Sequence, residues 1–151
     1  MLTAKDIMTQ DVITVTPDMP VKELAALLLS HRIGGAPVVD DDQTLLGVVT
    51  ESDLIDQSKN VHIPTVISIL DSVLVLENPW KMDLEIKKMA GRTVRDIFAS
   101  ELVTVTEDTP LSDIATIMSE KKVHTLPVLS GAALVGVIGK TDLIRAISQG
   151  G

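Results

Sequence analysis

Two short segments near opposite ends of the chain place a carboxylate just after an apolar run. The segment GVVTESDLI spans residues 47–55, and GVIGKTDLI spans residues 136–144. In the first, Thr50 precedes Asp53 by three residues, which is the spacing of a capping box at a helix start. In the second, Gly139 takes the place of the threonine while Asp142 is retained. A carboxylate has two oxygens that accept several hydrogen bonds at once, so its chemistry extends beyond capping one amide.

These segments close two copies of one longer repeat. The copies begin at Val12 and Leu102, and Thr14 of the first copy matches Thr104 of the second. Each copy predicts a strand, a helix, two strands joined in a hairpin, and a final helix. The helix of the first copy has five apolar residues at helical spacing, which are Val21, Leu24, Ala25, Leu28 and Leu29.

The composition excludes several classes of protein. The chain has 151 residues, no cysteine, a formal net charge of −8 and 1% aromatic residues. Disulfides and thiolate metal sites are excluded, and the acidity opposes binding to nucleic acid. The first ten residues lack a signal-peptide pattern, and the longest apolar region, residues 61–76, is interrupted and too short to span a bilayer. We therefore expect a soluble cytoplasmic protein with no nucleic-acid partner and no membrane insertion.

The residues between the copies belong to neither of them. We predict one repeat at residues 1–58, a helical insertion or linker at residues 59–91, and a second repeat at residues 92–151. The apolar residues of the insertion fall largely at helical spacing. This insertion is too apolar for a flexible tether, so we expect it to pack on the module, on a second chain or on a partner domain.

In the order of its motifs the chain resembles the tandem cystathionine β-synthase (CBS) domains, also called a Bateman module. The resemblance rests on DIMT at residues 6–9 and DIFA at residues 96–99, on the PVV and PVL strands, and on the closing Gly-x-x-(Thr/Ser)-x-x-Asp phrase. It implies an α/β fold, α+β by some schemes, of two β-α-β-β-α repeats related by a pseudo-twofold axis, with the helical insertion between them. It also implies a cleft that holds an adenine nucleotide or S-adenosylmethionine, and a disc-shaped homodimer.

The resemblance assigns the two carboxylates to the ribose of the ligand. Asp53 and Asp142 would accept hydrogen bonds from a ribose diol, while Thr50 and nearby amides would face phosphate. The other positions that match the binding motif of the family are Thr14, Val15, Gly35, Ala36, Pro37, Thr104, Val105, Thr125, Pro127 and Lys140. A helix cap and a ligand contact are compatible at Asp53, so both interpretations stay open.

Positive charge for phosphate is expected just before the second strand of each copy. The candidates are His31, Arg32, Lys121, Lys122 and His124. Their alternative role is to complement the dipole at the C-terminus of a helix. Because Gly139 lacks the hydroxyl, we expect the Asp53 site to bind more tightly than the Asp142 site. The glycine indicates either an unused half-site or a close backbone approach that only glycine permits.

We expect a stand-alone regulatory module, not an enzyme, that binds AMP, ADP, ATP or S-adenosylmethionine, as in energy sensing, and signals to an enzyme or transporter. No cofactor and no metal are expected to be required. One alternative is a structural dimerisation module with an empty cleft, and the apolar runs at residues 24–29 and 114–118 favour a homodimer in either case. The other alternative is a cryptic nucleotide hydrolase. It is disfavoured because the sequence has no Gly-x-Ser-x-Gly elbow, no His-Glu-x-x-His motif and no Walker-type loop.

Overall fold

The computed structural model describes residues 1–59 and 92–150 of the chain. The predicted helical insertion therefore lies outside the described residues, except for its first residue. Within the described part, no helix is long and apolar enough to cross a membrane.

The two halves of the molecule contain the same order of helices and hairpin strands, and the second half has one additional short strand. The first half consists of α1 (Ala4–Ile7), α2 (Val21–His31), β1 (Gly35–Val39), β2 (Leu45–Thr50) and α3 (Glu51–Lys59). The second half consists of α4 (Val94–Ile97), β3 (Val105–Thr106), α5 (Leu111–Lys121), β4 (Thr125–Ser130), β5 (Ala133–Gly139) and α6 (Lys140–Ser148). The predicted fold class, with mixed helices and strands in two related repeats, is confirmed.

Each sheet is an antiparallel hairpin with one short parallel neighbour. Gly35 of β1 lies opposite Thr50 of β2, and Thr125 of β4 lies opposite Gly139 of β5. The predicted first strand is short: β3 runs parallel to β4 over two residues, and the first half retains a single bridge from Val15. Because the last residue of each hairpin is followed directly by α3 or α6, the sheets fix where these two helices begin.

The helix α2 follows its predicted apolar face with one correction. Val21, Leu24 and Leu28 are buried. Leu29, which we expected on the same face, is 79% exposed. Successive residues of a helix are turned by about 100°, so Leu29 points away from the sheet that Leu28 covers.

The segment before each repeat pairs with the other half of the molecule. We call these two stretches the lead-in segments, residues 2–9 and 92–99. The Thr9 amide donates to the Val137 carbonyl at 2.8 Å, and the Val137 amide donates back at 3.0 Å. Ala99 and Val48 exchange the same pair of bonds at 3.2 and 3.3 Å. The two halves are therefore joined by a reciprocal exchange of backbone segments.

Each hydrophobic core is completed by a residue from the opposite lead-in segment. Ala4 is fully buried in the core of the second half, which includes Leu126. Val94 is fully buried in the core of the first half, which includes Leu24 and Val49. An isolated half would therefore lose one wall of its core.

Gly47 and Gly136, which begin the two repeated segments, allow the lead-in segments to approach the sheets. A Cβ atom at Gly47 would collide with the carbonyl oxygen of Ala99 and would lie 2.7 Å from the Phe98 ring. A Cβ atom at Gly136 would collide with the sulfur of Met8. The glycine of each segment is therefore explained by the close approach of the other half.

Gly47→Ala tests whether this approach limits stability. The nearest neighbour is a backbone oxygen that cannot rotate away, so we expect the free energy of unfolding to fall by about 1–3 kcal/mol, as in other overpacked cores. Urea unfolding measures the change. Gly34→Ala is the matched control, because a Cβ atom there meets no atom closer than 3.6 Å. It should change stability by less than about 0.5 kcal/mol, and equal losses in the two variants would contradict the steric explanation.

Candidate functional site

The Asp53 carboxylate is held at the start of α3 by the residue that ends β2. Its Oδ2 atom accepts the Thr50 amide at 2.9 Å and the Thr50 hydroxyl at 3.2 Å. The Asp53 amide donates to the Thr50 hydroxyl oxygen at 3.3 Å. The predicted capping box is thus confirmed. Of the roughly four acceptor positions of a carboxylate, these bonds use two, and none of the side chains that the structure describes, in residues 1–56 and 92–150, donates to Oδ1.

The electrostatic environment of Asp53 disfavours its charged form. Burial raises the pKa of Asp53, because a carboxylate removed from water loses hydration. The two Thr50 bonds lower the pKa in part, and the Asp56 carboxylate raises it further. The protein therefore compensates the Asp53 charge incompletely, and a hydrogen-bond donor from outside the chain would stabilise it.

Asp142 occupies the matching position in the second half with different partners. Its Oδ2 atom accepts the Gly139 amide at 2.8 Å. The Thr9 hydroxyl, from the first lead-in segment, is 3.4 Å from Oδ1 and 3.5 Å from Oδ2. Arg145 Nη1 is also 3.4 Å from Oδ1. Three groups of the chain thus surround this carboxylate.

The chain itself does not require glycine at position 139. The φ angle of Gly139 is −99°, which other residues adopt without strain. A Cβ atom there would lie 3.7 Å from its nearest neighbour, Asp142 Oδ2, which is ordinary contact. A close approach by the described part of the chain therefore does not explain the glycine.

The two hairpins meet at Gly35 and Thr125. A Cβ atom at Gly35 would come within 2.6 Å of Thr125 Oγ1 and 3.0 Å of Thr50 Cγ2. Gly35 and Thr125 occupy matching positions in the two repeats, and each lies opposite the residue that precedes α3 or α6. The structure therefore brings together Gly35, Thr50 and Thr125 of the predicted site residues, with Asp53 bonded to Thr50.

Six predicted site residues have buried side chains, namely Val15, Ala36, Pro37, Val105, Thr125 and Pro127. The backbone of Val15 is also committed: its amide donates to the Pro37 carbonyl at 3.0 Å and its carbonyl accepts the Val39 amide at 2.9 Å. Val15 and Ala36 belong to the core of the first half, and Val105 belongs to the core of the second half. That these six residues contact a ligand stays a prediction. Val15 would make van der Waals contacts and not hydrogen bonds, because its backbone amide and carbonyl are already paired.

The predicted phosphate-side residues are exposed and follow the ends of α2 and α5. They are His31, Arg32, Lys121, Lys122 and His124. Arg32 and Lys122 are the C-caps of these helices, both in the left-handed conformation with φ of 54°. Among the described ion pairs, none joins the five to Asp53 or Asp142. Their position fits the helix-dipole role, and the phosphate role stays a prediction.

Thr14 and Thr104 are half-buried beside the first strand of each repeat. Thr104 lines an open groove of about 370 Å³ beside α5, together with Val105, Thr106, Thr109, Asp113, Thr116 and Ile117. Lys140, which begins α6, and Asp142 are not part of this wall. The groove is therefore separate from the helix starts. The described residues also contain no cluster of His, Asp and Glu that could hold a metal ion.

Three neighbours of the two carboxylates were not predicted from the sequence. Asp56 and Arg145 occupy the same position in the repeated helices, so aligning those helices would have identified the difference in charge. Thr9 matches Ala99 in the repeat, and its contact with Asp142 depends on the exchanged lead-in segment. Sequence spacing carries no signal for that contact.

Comparison with known proteins gives relatives along nearly the whole chain. The chain is 32% identical over 153 residues to the chloroplastic CBS domain-containing protein CBSX1 of Arabidopsis thaliana, an alignment that covers 93% of this chain and 61% of that protein. It is 28% identical over 153 residues to an uncharacterised protein of Methanocaldococcus jannaschii, with 95% of this chain and 89% of that protein covered.

Two solved structures share the arrangement of both repeats. The crystal structure of Arabidopsis CBSX2 in complex with AMP is 28% identical, with a TM-score of 0.72 and coverage of 99% of this chain and 98% of that chain. The CBS domain pair of MJ0100, in complex with 5′-methylthioadenosine and S-adenosyl-L-methionine, is 22% identical with a TM-score of 0.74 and coverage of 100% and 99%, a likeness of fold. The sequence profile described as CBS domain matches residues 4–60 and 94–149. The chain belongs to the CBS domain family and contains two CBS repeats.

Proposed function

We propose that the chain is a regulatory module that binds an adenosyl ligand between its repeats and signals to an enzyme or transporter partner. The ligand is an adenine nucleotide or S-adenosylmethionine. The observation that carries the proposal is the half-buried Asp53 carboxylate, held at a helix start with one oxygen that accepts no hydrogen bond from the side chains described in residues 1–56 and 92–150. The ligands named for CBSX2 and for the MJ0100 pair, which are AMP, 5′-methylthioadenosine and S-adenosyl-L-methionine, support the choice of an adenosyl compound.

The geometry of Asp53 suits the ribose that these ligands share. Two of its roughly four acceptor positions remain for the two neighbouring hydroxyls of a ribose. Partial burial strengthens such hydrogen bonds, because water competes less for the carboxylate. These hydrogen bonds would also stabilise the charged form of Asp53, which burial disfavours by raising its pKa.

Further features of the proposed module follow from the family resemblance. Gly35 and Thr125, which lie together between the helix starts, would border the ligand. The module would act without catalysing a reaction, as a cytoplasmic homodimer.

A purely structural dimerisation module is the second candidate. Ile55 of α3 and Ile144 of α6 occupy matching positions in the repeats and are 68% and 57% exposed. Exposed apolar side chains at matched positions favour a surface that another chain covers. Such a module does not need a ligand, so ligand binding separates the two candidates.

Asp53→Asn tests the role of this carboxylate in binding. The variant keeps the shape and one acceptor oxygen but removes the charge, which weakens hydrogen bonds worth about 1.5–3 kcal/mol each. We expect the affinity for S-adenosylmethionine, measured by calorimetry, to fall at least about tenfold. The folded-state pKa of Asp53 is raised, so its charged form destabilises the fold at neutral pH relative to the unfolded chain. The melting temperature without ligand should therefore stay the same or rise.

Asp6→Asn is the matched control for this variant. Asp6 Oδ2 accepts the amide and the hydroxyl of Thr3 at 2.9 and 3.1 Å, which closely matches the Asp53 geometry. These bonds lower the pKa of Asp6, so its charge stabilises the fold and its loss should lower the melting temperature without changing the affinity for S-adenosylmethionine. If Asp53→Asn instead lowers the melting temperature and leaves the affinity for S-adenosylmethionine unchanged, Asp53 is only a helix cap.

Melting curves with AMP and with S-adenosylmethionine separate the two candidate functions. A ligand at about 100 times its Kd stabilises the folded state by about 2.7 kcal/mol, which corresponds to an increase of about 5–10 °C for a chain of this size. The structural module predicts no increase with either compound, while light scattering reports a dimer at micromolar concentration. A monomer whose melting temperature neither compound changes would contradict both candidates.

A further inference from the structure

The first two turns of α3 and α6 carry different charges at matched positions. The matched residues, in chain order, are Glu51 and Lys140, Asp53 and Asp142, and Asp56 and Arg145. The three residues of α3 are all carboxylates, with a formal charge of −3, whereas two cations and one carboxylate give α6 a formal charge of +1. The backbone repeat thus presents two helix starts that differ by four units of charge.

These flanking charges act directly on the two carboxylates. Arg145 Nη1 lies 3.4 Å from Asp142 Oδ1. Asp56 follows Asp53 by three residues, which places the two side chains next to each other on the helix surface. One carboxylate therefore has a cation beside it, and the other has a second anion.

The first residue of each helix, Glu51 or Lys140, extends the difference in charge to the loop before the hairpin. The Glu51 amide donates to the Gly34 carbonyl at 2.9 Å, and Glu51 Oε1 is 3.6 Å from the position that a Cβ atom of Gly34 would take. In the second half, the Lys140 amide donates to the His124 carbonyl at 3.1 Å. In the first half, a carboxylate side chain therefore lies close to the glycine before the hairpin. At the matching position of the second half, the residue is a lysine whose backbone amide donates to the carbonyl of His124.

We propose that the two half-sites select adenosyl ligands by charge, with a phosphorylated ligand at Asp142 and an uncharged or cationic ligand at Asp53. The proposal rests on the proposed function and extends it, because it places a ribose at Asp142 as well as at Asp53. The 5′ substituent of that ribose lies within about one Debye length, roughly 8 Å at physiological salt, of the flanking charges. Phosphate is therefore attracted at α6 and repelled at α3, and the sulfonium of S-adenosylmethionine has the opposite preference.

Charge selection predicts that a nucleotide binds more tightly at Asp142 than at Asp53. The Thr50 hydroxyl alone predicts the opposite order. The Thr50 hydroxyl adds one neutral hydrogen-bonding group at the Asp53 half-site, and that hydroxyl is already bonded to Asp53. A phosphate interacts with all the flanking charges at once, so the charge difference outweighs one neutral hydrogen bond.

Calorimetry with AMP and with adenosine tests the selection, because these two compounds differ only in the phosphate. For Arg145→Asp we expect the tighter AMP affinity to fall about tenfold while the adenosine affinity changes by less than about twofold. Asp56→Arg should strengthen the weaker AMP site by a similar factor. Arg145→Gln removes one charge without adding another, so it should shift AMP affinity in the same direction by a smaller factor. It keeps the test valid if the reversed charge disturbs folding.

Asp41→Arg is the control for a change in net charge. Asp41 is exposed in the turn between β1 and β2, at the opposite end of the hairpin from Gly35, and its replacement alters the net charge as much as Asp56→Arg does. It should leave the ratio of AMP affinity to adenosine affinity unchanged. If Arg145→Asp and Asp56→Arg also leave this ratio unchanged in a protein that binds both compounds, charge selection is overturned and the proposed function stands. If the parent binds neither these compounds nor S-adenosylmethionine, the proposed function fails, and charge selection fails with it.

Discussion

The lead-in segment of each repeat is hydrogen-bonded into the sheet of the other, and the rest of the structure depends on this exchange. The Ala4 amide donates to the Thr109 carbonyl at 2.8 Å, and at the matching place the Val94 amide donates to the Met19 carbonyl at 2.9 Å. The same segments bury Ala4 and Val94 in the opposite cores. The exchange requires a glycine, such as Gly47, where a lead-in segment crosses a strand. Because it holds the hairpins side by side, it also fixes the positions of the two helices that follow them.

A backbone with matched halves supports two different chemical environments. Both final helices begin with a carboxylate that accepts the amide three residues before it, so the geometry is repeated. The side chains around that geometry are not repeated. The exchange brings the Thr9 hydroxyl to Asp142, whereas its counterpart in the second lead-in segment is Ala99, which has no hydroxyl. Repeat architecture of this kind lets one fold present two helix starts whose chemical surroundings are set by a few substitutions.

The parts of the fold that depend on local sequence were predictable, and the parts that depend on distant pairing were not. The hairpin of the first half was predictable because its turn is local: Asp40 Oδ1 accepts the Asp42 and Thr44 amides, each at 2.9 Å. The capping box of Thr50 and Asp53 was predictable for the same reason. Leu29 was misplaced because a run of apolar residues on more than one side of a helix does not specify which side faces the core. The pairing of Thr9 with Val137 had no sequence signal, so the partners of Asp142 were predicted incompletely.

Binding of an adenosyl ligand at the two helix starts is tested most directly by hydrogen exchange of the full chain, with and without saturating AMP or S-adenosylmethionine. A ligand held by Asp53 or Asp142 should slow exchange of the amides at the β2–α3 or β5–α6 junction, within residues 49–54 or 138–143. Gly35 and Thr125 lie between these junctions, so their amides should be slowed as well. Slowing confined to the groove beside α5, or no slowing with either ligand, would contradict binding at the helix starts.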